Sequence, residues 1–200
     1  MAGIRLSAGR LIAAGATSGP TPVRPGAPRL SGGRCQRTAL GVAEREGLTP
    51  PCFAQLKYGI ARRSMAEGPF YGELFDAGTL RLQASDAFEG GILVGKTRPA
   101  RKIGADVGGI RERIVAAYPR VRAAAESLGA TPAQLGLAFC LAHPAASSVL
   151  FGASSAAQLE ENLGAVGLLE RVGPAAVREA VAGLQADGAV RADGVWDPAV

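Results

Sequence analysis

The segment Ser147-Ser148-Val149-Leu150-Phe151-Gly152-Ala153-Ser154-Ser155-Ala156-Ala157-Gln158-Leu159-Glu160-Glu161-Asn162 changes texture twice within a few residues. A short apolar run, Ser147 to Phe151, is bounded by turn signals and reads as a strand. Gly152 to Ser155 reads as a loop, and Gln158, Leu159 and Leu163 begin a helix. The same alternation appears upstream. Phe53 to Tyr58 reads as a strand, Phe70 to Ala77 as a short helix stopped by Gly78, and Leu80, Leu82 and Ala84 alternate with Arg81, Gln83 and Ser85 in a further strand. Strands separated by helices imply a parallel sheet, because parallel neighbours need a crossover and a helix is the usual one.

The remaining pattern is helical. Ala39 to Glu46 reads as the end of a helix, with Gly47 in the left-handed position that closes it. Ile110, Ile114, Val115, Tyr118, Val121, Ala125 and Leu128 recur at three and four residues and stop at Gly129; Pro119 within that run predicts a kink or two helices. Thr131-Pro132-Ala133-Gln134 has capping-box spacing, with proline at the first helical position. A last helix is expected from Pro174 to Leu184. Residues 1–38, rich in Gly, Pro, Ala, Ser and Arg, read as a disordered arm, and residues 39–200 as the one folded domain.

Composition excludes several classes. No apolar run approaches the roughly 18 residues that span a bilayer, so no membrane partner is expected. The net charge of +5 is carried by Arg5, Arg10, Arg24, Arg29, Arg34 and Arg37, which leaves the rest of the chain nearly neutral. Nucleic acid would find no basic face on the folded part. Cys35, Cys52 and Cys140 are odd in number and irregularly spaced, and His143 has no second histidine beside it, so no metal site is expected. Free thiols, two of them in apolar runs, suit the reducing cytoplasm.

The chemistry-bearing piece is the loop from Gly152 to Ser155. A glycine-containing turn that opens a helix leaves backbone N–H groups free to meet an anion such as a phosphate. Ser155 followed by Gln158 is equally a plain helix cap, and spacing alone favours the cap.

Taken whole, Ser147 to Asn162 resembles the end of the aldo/keto reductases. Gly47-Leu48-Thr49-Pro50-Pro51, Gln55-Leu56-Lys57-Tyr58, Gly90-Gly91-Ile92-Leu93-Val94-Gly95-Lys96 and Thr131-Pro132-Ala133-Gln134-Leu135-Gly136-Leu137-Ala138 fall in that family's order and separations. The likeness covers about residues 39–184 and is nearest to the branch that includes the potassium-channel β subunits. It implies an α/β fold, a partial (β/α)8 TIM barrel made of the C-terminal strands and helices, with NADPH across the C-terminal strand ends. It further implies that Gln55 hydrogen-bonds the nicotinamide carboxamide and that Ser85 lies beside that ring. Lys96 would lie near the phosphates, and Gly152, Ser154, Gln158, Glu161 and Asn162 would hold the adenosine and 2′-phosphate end.

Two departures stand out. Ser85 and Asp86 occupy the place where the family usually stacks an aromatic residue on the nicotinamide. The family's catalytic Asp, Tyr, Lys and His or Asn belong to the first half of its barrel, and none of Tyr58, Tyr71 and Tyr118 stands in that pattern, so no catalytic residue is assigned. The resemblance therefore implies an NADPH-dependent carbonyl reductase in descent, and a non-catalytic NADPH binder or interaction fragment as the alternative. An open half-barrel is expected to expose strand edges and apolar surface, inviting a missing barrel half or self-association.

Overall fold

The computed structural model describes residues 11–13, 33–96 and 110–188. Its elements are β1 (Leu11–Ala13), α1 (Gly33–Arg45), β2 (Phe53–Lys57), α2 (Ser64–Glu67), α3 (Pro69–Asp76) and β3 (Arg81–Ser85). A 3₁₀ segment (Glu89–Val94), α4 (Ile110–Ser127), α5 (Pro132–Leu141), β4 (Ala146–Phe151) and α6 (Ala156–Ala180) follow. The strands form one parallel sheet in the order β1-β4-β3-β2. This mixed α/β arrangement is consistent with part of a barrel; the described strands do not close one.

Alternation decides which face is buried. Ala54 and Leu56 of β2, Leu82 and Ala84 of β3 and Val149 and Phe151 of β4 are all buried in the core, together with Leu135, Leu137, Ala138 and Phe139 of α5 and Ala165 and Leu168 of α6. The pairing Gln55 to Gln83 to Ser148 runs across the opposite face. A bulge between Leu82 and Gln83 keeps that phase, so that Leu82 meets Ala146 and Gln83 meets Ser148. The Gln83 amide donates to Ser148 Oγ at 3.1 Å.

Local chemistry explains the helix boundaries. The capping box at Thr131 is complete: Thr131 Oγ1 accepts from the Gln134 N–H at 3.2 Å and Gln134 Oε1 accepts from the Thr131 N–H at 3.0 Å. Gly129, at φ +60°, closes α4, and the Ala130 N–H reaches back to the Ala125 carbonyl at 2.9 Å. Gly173 has φ +80° and ψ 161°, so α6 is two helices meeting at Gly173-Pro174.

The structure departs from the sequence reading in several places. α1 begins at Gly33, within the expected arm of residues 1–38, and Leu11–Ala13, also inside it, pairs with Val149–Phe151 of β4. Most of the other residues of that arm lie outside the described residues. Pro119 does not divide α4; the helix runs through it, anchored on either side by the buried Ile114 and Val121, and only one hydrogen bond of the ladder lacks its donor. The last helix ends at Ala180, although Leu184 beyond it is still buried. Cys140 is buried and Cys52 is exposed. The expected apolar surface is small: among the described residues the exposed large hydrophobics are Leu48, Phe53 and Leu163, and Phe53 alone of these is on the sheet.

Leu82 is fully buried between its neighbouring strands and the helices. Replacing it with alanine removes that packing and leaves a cavity, so Leu82→Ala is expected to lower the unfolding free energy by about 2–5 kcal/mol, measured by urea denaturation.

Candidate cofactor site at the C-terminal edge of the sheet

Because β2, β3 and β4 are parallel, their C-terminal ends and the loops that follow share one edge of the sheet. That edge collects Lys57, Ser85 and Phe151 as last strand residues, then the loops beginning at Tyr58, Asp86 and Gly152. Gln55 is on the uncovered face one pleat earlier, opposite Gln83, and is exposed. Ser85 is half-buried, and its hydroxyl donates to the Leu56 carbonyl at 3.0 Å.

Beside Ser85, Asp86 adopts φ +59°, a left-handed conformation uncommon for a residue with a side chain. Its carboxylate accepts from Lys57 Nζ at 2.8 Å, a link between the ends of β2 and β3. Glu89 is also left-handed, at φ +50°, and almost completely buried. Burial pushes its carboxyl above the usual range, against the opposing pull of Arg62. The Arg62 Nε–H is shared between both Glu89 oxygens at 2.9 Å. This pair ties the loop after β2 to the loop after β3. Gly90 and Gly91 follow at φ +67° and +100°, and a Cβ at Gly91 would come within 2.9 Å of Lys96 Cδ. The glycine therefore lets the exposed Lys96 fold back across its own loop.

On the next loop Gly152, Ser154, Gln158 and Glu161 are exposed, whereas Asn162 turns inward and is buried. Ser155 caps α6 by accepting the Gln158 N–H at 3.2 Å. The Gln158 side chain then folds over the helix start, where its Oε1 accepts both the Ser154 N–H and the Ser154 hydroxyl at 2.8 Å. An amide oxygen thus satisfies both Ser154 donors from within the chain. Glu161 offers its carbonyl to the Gln134 amide, which joins α5 to α6.

One cluster was not visible in the sequence. Tyr58 is buried, stacked on Phe139 at 5.4 Å, and its hydroxyl donates to Glu67 Oε1 at 2.6 Å. Arg178 donates to the same oxygen at 2.6 Å and to the Tyr58 hydroxyl at 3.1 Å. Arg63 is buried with its guanidinium over the Phe139 ring, 4.6 Å from the centroid, and donates to the Ile60 and Val181 carbonyls. Burial first, then the bond to Glu67, raises the Tyr58 phenol well above the ordinary tyrosine range. His143 packs edge-on against Tyr58 and Phe75; burial lowers its pKa, and its Nδ1 accepts the Ala145 N–H. The partners lie far apart in sequence, so no local motif could have shown them.

A model of the aldo/keto reductase family matches residues 38–171, two-thirds of the chain. The chain belongs to the aldo/keto reductase family. Members of this family are oxidoreductases that generally use a nicotinamide cofactor. No helix among the described residues is long and apolar enough to cross a membrane, and no group of three or more metal-ligating side chains occurs among them.

Burial would raise the Glu67 pKa, but the bonds from Tyr58 and Arg178 and the nearby arginine charges overcome it, and the net shift is downward. A carboxyl lowered on folding stabilises the protein above its unfolded pKa, and that contribution is lost as pH falls through the folded value. Unfolding free energy should therefore decline on acidification below about 4.5, and Glu67→Gln should flatten that decline while lowering stability at neutral pH. Urea titrations between neutral and acid pH measure both.

Proposed function

We propose that this chain is the NADPH-binding portion of a carbonyl reductase of the aldo/keto reductase family, and that by itself it binds the cofactor without reducing carbonyls. The observation that carries the reading is the exposed start of α6, where Ser154 presents an N–H and a hydroxyl to one oxygen of Gln158. A phosphate oxygen entering there would replace the amide oxygen, gaining charge-assisted bonds and the positive end of a helix.

The residues fit the phosphate end of the cofactor better than its nicotinamide end. Lys96 is exposed, its stem lying against Gly91, and Gly152 has no described atom within 4 Å of the position of an added Cβ, leaving room for close approach. Gln55, exposed on the uncovered face, would address the carboxamide. Ser85 is too small to stack on a ring, and Asp86 brings a carboxylate whose charge Lys57 compensates. When bound, NADPH would supply the hydride. This chain's residues would bind and orient it, with Gln158 swinging aside and Glu161 bordering the adenosine end, whereas Asn162, buried on the inner side of α6, faces away from the ligand.

The chain's tyrosines argue against carbonyl reduction by the chain alone. A carbonyl reductase of this family needs a tyrosine acid to protonate the developing alkoxide. Tyr58 is buried and donates a hydrogen bond to Glu67, Tyr71 is buried among Phe70 and Phe75, and Tyr118, half-buried on α4, packs its hydroxyl against Gly95. By its overall likeness the chain is read as nearest the potassium-channel β-subunit branch, and a reductase would need its catalytic residues from elsewhere.

Titration of NADPH fluorescence with the purified chain is expected to show saturable binding, weakened at least about tenfold when Lys96, Ser154 and Gln158 are all changed to alanine. Binding unchanged in the triple variant, or no binding by the folded wild type, would contradict the proposal.

A further inference from the structure

The loop after β3 is built largely from left-handed residues. Asp86, Glu89, Gly90, Gly91 and Gly95 all have positive φ, between +50° and +100°. Glycine adopts that region freely, and aspartate is among the few side-chain types that visit it. Glutamate is not, so Glu89 at φ +50° holds a conformation that its own side chain opposes. Its carboxylate is turned inward, 2% exposed, and both oxygens accept the Arg62 Nε–H at 2.9 Å. Arg62 is itself held on both flanks. The Ala61 carbonyl accepts the Ala186 and Asp187 N–H groups at 2.8 and 3.2 Å, and the Arg63 and Ser64 N–H groups donate to Asp187 Oδ2 at 2.9 and 2.8 Å. Stability alone does not account for Glu89. A buried ion pair is commonly matched or bettered by apolar residues of similar size, and glycine at position 89 would relieve the backbone. What the carboxylate does supply is one fixed conformation for the turn that follows it.

We propose that Glu89 is a positioning residue: with Arg62 it holds the Gly90–Gly91 turn, and through that turn it presents Lys96 at the C-terminal edge of the sheet. The inference rests on the cofactor reading, in which Lys96 meets a phosphate. The linkage is short. Gly91 follows Glu89 by two residues, its carbonyl accepts the Lys96 N–H at 2.9 Å, and its lack of a side chain lets the Lys96 stem lie against it. Ile92 and Leu93, both buried, pin the middle of the loop to the core, and Glu89 pins its start. Two consecutive glycines restrain a turn very little by themselves, so releasing Glu89 frees the turn to sample other conformations. Glu89 and Arg62 also neutralise each other, and the pair brings no net charge against an anion. A loop ordered before its ligand arrives does not have to be ordered on binding, which favours affinity.

The test compares the full-length wild type with Glu89→Gly, which removes the carboxylate without straining the backbone, and with Glu89→Gln, which keeps an acceptor for Arg62. The Gly91, Gly95 and Lys96 amides are each hydrogen-bonded within the loop. Without ligand, their exchange should be about tenfold faster or more in Glu89→Gly and about threefold faster in Glu89→Gln, with the Leu82 amide of β3 far less affected. NADPH affinity, read by fluorescence titration, should fall by similar factors. In a Lys96→Ala background either substitution should change affinity by less than about twofold, because no lysine remains to be positioned; a purely structural role would weaken binding equally in both backgrounds. Glu89→Gln carries the same comparisons if Glu89→Gly does not fold. Where the wild type binds NADPH, unchanged loop exchange, unchanged affinity, or an equal loss in the Lys96→Ala background overturns this proposal and leaves the cofactor reading standing. A folded wild type that binds no NADPH overturns both.

Discussion

The parallel register of β2, β3 and β4 over one shared apolar face is the constraint on which the rest of the structure depends. Ala54, Leu56, Leu82, Ala84 and Val149 must all turn toward the helices, and this fixes the phase of every strand. A slip of one residue would bury Gln55, Gln83 and Lys57 and expose the leucines, at a cost of several buried polar groups without partners. Once the phase is set, the parallel direction delivers three loops to one edge. The candidate site is thus a consequence of strand direction before it is a property of any single side chain.

The opposite face of the sheet carries Gln55, Lys57, Gln83, Ser85 and Ser148 in adjoining register. Barrel interiors are normally filled by bulky branched residues. A row of amides and hydroxyls suits water or a polar ligand better than a dry core, and it explains why the open sheet shows so little exposed apolar surface. The loops above that face are fixed by charge: Lys57 with Asp86, and Arg62 with the buried Glu89. Both acids are held in left-handed conformations, which cost energy in isolation and persist where their surroundings determine them. Such positions place two carboxylates at the edge where the cofactor is proposed to bind.

Much of this was legible in the sequence because the signals were local. The alternation in Leu80 to Ser85, the capping box at Thr131 and the stops at Gly78 and Gly129 each rest on neighbouring residues, and each has its counterpart in the structure. The sheet could be read as parallel from the order of its elements. What escaped was non-local or conditional. Leu11–Ala13 is too short to read as a strand until β4 offers it an edge. Pro119 breaks helices in isolation, yet tertiary packing on Ile114 and Val121 carries α4 through it. Tyr58, Glu67 and Arg178 meet only because three separate elements fold together. For the candidate site, the loop at Gly152 was visible as an anion-binding or capping motif, and the structure adds that Gln158 satisfies it from within while Asn162 faces the interior.

The central claim is that the C-terminal edge of the sheet is a binding surface for NADPH. Residue-resolved hydrogen exchange of the folded chain with and without saturating NADPH tests it most directly. Slower exchange concentrated at Gly152–Gln158 and in the segment from Asp86 to Lys96, with the amides of α4 unaffected, is the predicted result. An exchange pattern that NADPH leaves unchanged at those two loops would contradict it.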